Sequence, residues 1–266
     1  NFLDEQAKHL RPTITNQELL NSSNMRSSES DGLKVDLSFP KEGTHKILVL
    51  LIDFPDLVAT HTVNEFEDFM NQENYNGTGS FRDYFLKASD NKLKINADVV
   101  GWYRADSSYA YYGKKNGYDR AKVLVREAVD AAESAGIDFS IYDNDNDGYV
   151  DGIILVHAGQ GAEEGSLEDY IWSHRSSLGS SYYRTYDNTI INDYMANPER
   201  RIFSNNGAGG MVGIGVFCHE FGHGMNLPDL YDIDYSSPGI GSWGLMGGGG
   251  WLGDEKVPAF MSAYSR

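Results

Sequence analysis

Two hydrophobic periods alternate along the chain, and each predicts a different element. HKILVLLIDF, at 45–54, is an unbroken apolar run closed by Pro55, the mark of a strand buried on both faces. KLKINADVV, at 92–100, alternates instead. Leu93, Ile95, Ala97 and Val99 are separated by polar residues, so one face of this strand meets the core. GIILVHAG, at 152–159, repeats the continuous pattern and predicts a second buried strand. Helical spacing fills the intervals. Thr62 is placed to cap a helix through VNEFEDFMNQ, and GSFRDYFLKAS reads as another. YDRAKVLVREAVDAAESAG, at 118–136, is the clearest helix, with Leu124, Ala128, Ala131 and Ala135 as its stripe and Gly136 at the C-cap. VPAFMSAYSR starts a helical pattern after Pro258 and stops abruptly, as a shortened chain would.

Residues 1–40 follow neither period and carry the polar patch NSSNMRSSESDG at 21–32, which fits a poorly ordered leader or pro-segment remnant. The remainder divides into an upper part at 41–225 and a smaller, glycine-rich lower part at 226–266. At 266 residues the chain is long enough for a sizeable core. Its net charge of -17 repels nucleic acid and anionic lipid, which removes both from the expected partners. No apolar run approaches the roughly 20 residues of a membrane span, so no membrane insertion is expected. A single cysteine rules out an internal disulfide framework. The chain opens on Asn1, as a processed protein would.

The densest chemistry lies in MVGIGVFCHEFGHGM, at 211–225. In a helix, Ile214, Cys218, Phe221 and Met225 form one apolar stripe, which makes Cys218 a core residue and not a nucleophile. His219 and His223 lie one turn apart on another face, where two imidazoles can share a tetrahedral zinc ion. Glu220 is then placed to touch a water at the metal and to act as general base. A catalytic zinc needs a third protein ligand. Asp229, six residues past His223, is the candidate, with Asp232, Asp234 or a later glutamate as alternatives. Reaching the metal from Asp229 requires a sharp bend. Related motifs place glycine at the position of Asn226, and asparagine is the best substitute where φ is positive. Met246, in GSWGLMGGGG, fits a methionine-containing turn beneath the metal.

A second constellation is YDNDNDGYVDG, at 142–152. Oxygen donors at Asp143, Asp145, Asp147 and Asp151, the carbonyl of Tyr149 and a turn at Gly148 follow calcium-loop chemistry. The twelfth position is Ile154 where an EF-hand has glutamate, so the loop is expected to hold calcium outside an EF-hand, completed by water or a remote carboxylate. Its expected role is structural. Glu163 and Glu164 are weighed as a second calcium site, and His157 and His174 as pocket residues or hydrogen-bonded scaffold.

From about 45 to 265 the chain resembles the secreted bacterial metalloproteases of the immune inhibitor A type. The resemblance rests on GTGSFRDYF, VVGWY, YAYYG, DNDNDGYVDG, HAGQGAEEG, IWSHR, VFCHEFGHGMNLPDLYD and SWGLMGGG, in that order. It implies an α+β, metzincin-like zincin: a mixed twisted sheet with a backing helix and an active-site helix, then a small irregular subdomain with a Met-turn at Met246. It also implies an extracellular zinc endopeptidase, calcium-stabilised, acting as a monomer on protein or peptide substrates and made with an inhibitory pro-segment. Within residues 1–40, Asp31 and Asp36 are conceivable zinc-blocking groups. An edge strand preceding the metal helix is expected to receive extended peptide. The alternative from another class is a catalytically inactive calcium-stabilised binding or adhesion module that retains the zinc motif.

Overall fold

The computed structural model of the protein describes residues 38–263 other than 114, 116, 165–167, 202–209, 233–235 and 238, together with 265. The leader, including Asp31 and Asp36, lies outside the described residues up to residue 37. Phe39, just after it, is wholly buried, its ring edge-on to Phe221 with centroids 4.7 Å apart.

The continuous apolar runs become β1 (Gly43–Asp53) and β3 (Ile153–Gln160), and the alternating one becomes β2 (Leu93–Arg104). Short strands β4 (His174–Ser177), β5 (Arg184–Tyr186), β6 (Thr189–Ile191) and β7 (Asp193–Arg200) follow. The main sheet has the order β2-β1-β3-β7-β4. Its first four strands are parallel, and β4 closes the edge antiparallel to β7. β5 and β6 form a separate hairpin. A mixed sheet is therefore present as expected. The strand immediately before the metal helix, β7, is interior, and the edge strand that precedes the helix is β4.

Alternate residues of β1 feed two cores, as a strand buried on both faces must. Ile47, Val49 and Leu51 pack with α1 (Val63–Asn71) and α2 (Phe81–Ala88) on one face. Leu48, Leu50 and Ile52 face the opposite layer, which holds a short α3 (Tyr109–Tyr112) and the long α4 (Tyr118–Ser134). The first two helices start where their sequences place caps. Thr62 with Glu65, and Ser80 with Asp83, form reciprocal capping boxes that satisfy otherwise orphaned N–H groups. The stripe of α4 is rotated from its expected position. Ala121, Leu124, Val125, Ala128, Val129 and Ala132 are buried, whereas Ala131 is half-buried and Ala135 exposed. Alanine is compatible with either face, so its spacing misplaced the stripe. No helix follows Pro258 among the described residues.

The metal helix is α5 (Ile214–Gly224). It is buried on nearly every side rather than along one stripe; only His219 and His223 are partly open to solvent. Glycine in a helix interior costs about 1 kcal/mol relative to alanine, yet close packing demands it here. A Cβ on Gly215 would lie 1.9 Å from the Gly250 carbonyl oxygen, and one on Gly222 would lie 2.6 Å from the Met246 sulfur. No helix among the described residues is long and apolar enough to cross a membrane.

Candidate metal centre

Two turns of α5 present His219 and His223 with ring centroids 4.9 Å apart. Their Nδ1 atoms are tied to backbone carbonyls, His219 to Leu245 at 3.1 Å and His223 to Leu227 at 2.9 Å. An Nδ1–H donated to a carbonyl fixes the tautomer that leaves the Nε2 lone pair facing the cleft. Asp229 completes the group. Its Oδ1 lies 3.2 Å from His219 Nε2 and 3.3 Å from His223 Nε2.

Asp229 reaches this point because α5 ends in a Schellman cap. Asn226 takes φ of 66°, its N–H reaches the His223 carbonyl at 3.0 Å, and the Leu227 N–H reaches Gly222 at 3.0 Å. Pro228 then keeps the chain out of the helix. The Leu230 N–H, bonded to the Met246 carbonyl at 2.7 Å, pins the returning segment to the glycine-rich turn. Met246 itself is buried beneath Gly222 of α5.

The donor set fits a tetrahedral ion. Ligand arms of about 2.0–2.1 Å imply edges of about 3.3–3.4 Å between donor atoms, close to the two separations here. Asp229 Oδ1 is buried and accepts no aligned hydrogen bond despite both imidazoles at ion-pair distance. All three donor atoms lie within 4.8 Å of one another.

Electrostatics make the cluster strongly coupled. Burial would lower the His219 pKa, but its contacts with Asp229 and the charge of Glu220 outweigh this and raise it to about 9. Burial would raise Asp229, yet the two imidazoles hold its carboxyl well below the usual range. Glu220 is buried and its pKa is raised, chiefly by desolvation, with His219 and His223 pulling the other way. A bound dication would reinforce the histidines' pull and hold Glu220 ionised. Cys218 is wholly buried among apolar side chains, and desolvation drives its thiol pKa far up.

Asp232 is not part of this group. Its carboxylate closes a local turn by accepting from Ser236 Oγ at 2.9 Å and the Ser237 N–H at 2.6 Å. Asp234 lies outside the described residues. Several contributors gave no sequence signal. The carbonyls of Leu245 and Leu227 are backbone groups that any residue would supply. The backbone of Arg175, on edge strand β4, lies close enough to favour the ionised form of Glu220, and a strand of four residues is too short to show a period. Tyr231 stacks parallel to His219 at 6.5 Å, inside the motif but unmarked by spacing.

The acidic loop lies at the far side of the sheet, between α4 and β3. Ligand atoms of Asp143, Asp145 and Asp151 fall within 4.8 Å of one another. Asp147 stands beside them, its Oδ1 accepting the Tyr149 N–H at 2.8 Å. Burial raises the Asp147 carboxyl, and raises Asp151 to about 6. Among the described residues Glu163 joins no metal cluster; it accepts from Ser173 Oγ at 2.6 Å and the Ser173 N–H at 3.2 Å, and the side chain of Glu164 lies outside the described residues. His174 is hydrogen-bonded scaffold, its Nδ1 on the Trp172 carbonyl and its Nε2 on Tyr194. His157 is likewise buried, its Nδ1 on the Ala158 carbonyl.

Residues 68–266 match the family model described as the immune inhibitor A peptidase M6 catalytic domain. The pre-pro-metalloprotease PrtV of Vibrio cholerae serotype O1 is 32% identical over 285 residues, covering 85% of this chain and 30% of the relative. Immune inhibitor A of Bacillus thuringiensis subsp. alesti is 30% identical over 257 residues, covering 78% of this chain and 36% of the relative. The chain thus spans about a third of the length of these relatives. It belongs to the immune inhibitor A peptidase M6 family, within its catalytic domain.

Proposed function

We propose that this chain is the catalytic part of an exported zinc endopeptidase. The observation that carries this reading is the convergence of His219 Nε2, His223 Nε2 and Asp229 Oδ1, with Glu220 beside them on the same helix. His219, His223 and Asp229 would hold the zinc. When bound, the metal supplies Lewis-acid activation of a water and of the scissile carbonyl.

The chain's own residues do the rest. Glu220 takes the proton of the attacking water and delivers it to the leaving amine. Its carboxyl is buried on α5 next to His219, which shields it from bulk solvent. Extended substrate would add to the outer edge of β4 by main-chain hydrogen bonds. The bidentate pair of Arg175 with Asp193, at 2.5 Å and 3.2 Å, holds that strand in register beside Glu220. Met246 serves as the soft floor of the site, the position of a Met-turn.

Calcium at Asp143, Asp145 and Asp151, with Asp147 and the Tyr149 carbonyl as proposed further donors, would be structural. It would tie the end of the segment after α4 to β3 and relieve the mutual repulsion of the carboxylates. Synthesis with a leader and pro-segment is proposed by analogy with the Vibrio relative, whose name calls it a pre-pro-metalloprotease. Glu220→Gln tests the catalytic reading. Hydrolysis of a denatured protein should fall by roughly 10³–10⁴-fold, with zinc content by elemental analysis unchanged. A variant that loses zinc and retains activity would overturn it, as would activity that survives a chelator in the native protein. Absence of any hydrolysis by the zinc-loaded native protein would instead favour the inactive-module alternative.

A further inference from the structure

The lower segment touches α5 along its whole length, and its far end is a single residue, Glu255. Leu245 holds His219, Met246 packs beneath Gly222, Gly250 meets Gly215, and Glu255 meets Gly213 just ahead of the first helical turn. Glu255 is buried and takes φ of 64°, a left-handed conformation that favours glycine. A carboxylate kept there against the backbone preference has a task.

Two of its groups meet the helix start. Its Oε2 accepts the Gly213 N–H at 3.1 Å, and its carbonyl accepts the Gly215 N–H at 2.9 Å. These are N–H groups that the first turn leaves without intrahelical partners, and Gly213, the N-cap residue, has no side chain to serve them. A negative charge at this end also complements the helix dipole. Arg201, which follows β7, stands with its Nε 3.8 Å from Glu255 Oε1 and steadies the carboxylate.

We propose that Glu255 is a positioning residue for the metal centre: it caps α5 from 42 residues downstream of the N-cap Gly213 and sets how far along the Leu245–Met246 turn the helix sits. An axial slip of α5 would part His219 Nδ1 from the Leu245 carbonyl and misaim its Nε2. Glu255 touches neither substrate nor metal and acts through that register. The inference rests on the zinc reading above, and its test separates the two.

Zinc affinity is measured by competition with a chromophoric chelator for the native protein, Glu255→Gln and Glu255→Gly. Glycine suits the positive φ and keeps the carbonyl bond to Gly215, so it removes the carboxylate with little backbone strain. Glutamine keeps the shape and an acceptor for Gly213 but drops the charge. Zinc affinity should fall roughly tenfold in Glu255→Gly, within the range seen when groups that orient metal ligands are removed. Glu255→Gln should lie between it and the native protein. At saturating zinc, kcat should fall in the same order with KM nearly constant. If Glu255→Gly fails to fold, the isosteric Glu255→Gln carries the comparison. Zinc affinity within twofold of native in the folded variants, with only the melting temperature lowered, would overturn the proposal. Absence of zinc binding by the native chain would overturn the zinc reading instead.

Discussion

Around Asp229 two imidazoles converge on a buried carboxylate oxygen that accepts no aligned hydrogen bond, whereas around Asp143 every aspartate already holds N–H donors. Asp143 accepts the Asp147 and Gly148 N–H groups, each at 3.0 Å. Asp145 shares the Asp147 N–H at 3.2 Å, and Asp151 accepts the Asn144 N–H at 2.6 Å. Both sites bring three candidate ligand residues within the same distance of one another. They differ in what the polypeptide does for itself. The acidic loop is shaped by its own backbone donors and can keep its outline without an ion. The histidine–aspartate cluster directs its Nδ1 atoms to the Leu245 and Leu227 carbonyls and turns both Nε2 atoms toward Asp229 Oδ1. Proximity alone does not separate a site that needs an ion from one that tolerates it.

The sharpest way to break the comparison is at Asp229. Asp229→Ala should abolish stoichiometric zinc and with it all hydrolysis, because two histidines alone leave the coordination incomplete. Removing Asp145 in the same assay should leave zinc and catalysis in place. Elemental analysis alongside a peptidase assay checks both. If Asp145→Ala also empties the zinc site, the two clusters are not independent.

Much of the grouping of His219, His223 and Asp229 is legible in the sequence because the three lie within eleven residues, on one helix and the turn after it. Helical spacing puts His219 and His223 on one face, and Pro228 announces the exit before Asp229. The sheet was legible where runs were long, as in β1, β2 and β3. It was hidden where strands have three or four residues, so the sequence did not show which strand forms the edge. β4 owes its place to pairing with β7 and not to its own pattern. The stripe of α4 was misread at alanines, whose small side chains report burial poorly. Glu199 is the clearest case of a residue sequence could not mark. Fully buried, it gathers the N–H groups of Thr60, His61 and Gly159 from two distant segments. Only the assembled fold brings those together. Its carboxyl is held down to about 2: burial opposes this, but the His61 contact and the three N–H donors outweigh it.

The acidic loop predicts an intermediate effect, and its sign follows from protonation. Burial raises Asp151 to about 6 from an ordinary 3.8. The folded protein therefore binds more protons than the unfolded chain between these values, and without an ion its stability falls as pH rises through that window. The loss should be about 1–2 kcal/mol after allowance for solvent screening. Calcium should offset it at neutral pH, where 100-fold excess over Kd contributes about 2.7 kcal/mol. Thermal melts at pH 4, 6 and 7.5, with and without calcium, read this directly. A calcium-induced rise in Tm that is as large at pH 4 as at pH 7.5 would separate the ion from these carboxylates. No rise at any pH would leave the loop self-sufficient, held by its N–H donors alone.

The smallest effect is expected at Asn226, and it tests how the helix end serves the zinc cluster. At φ of 66° a non-glycine residue pays for its Cβ, and asparagine pays least among those with side chains. Asn226→Gly should change stability by less than about 1 kcal/mol, because the Schellman bonds from residues 226 and 227 use backbone groups alone. Zinc affinity and kcat should stay within about threefold of native, since Leu227 and Asp229 keep their places. Asn226→Val should cost more than 1 kcal/mol, as a β-branched residue resists the left-handed conformation. It should also weaken zinc, because displacement of the Leu227 carbonyl frees His223 Nδ1 to rotate. Chemical denaturation and the chelator competition distinguish the two. If Asn226→Val lowers stability yet keeps native zinc affinity, the bend holds the lower segment without orienting His223, and the preorganisation of the zinc cluster rests on the Leu245 side alone.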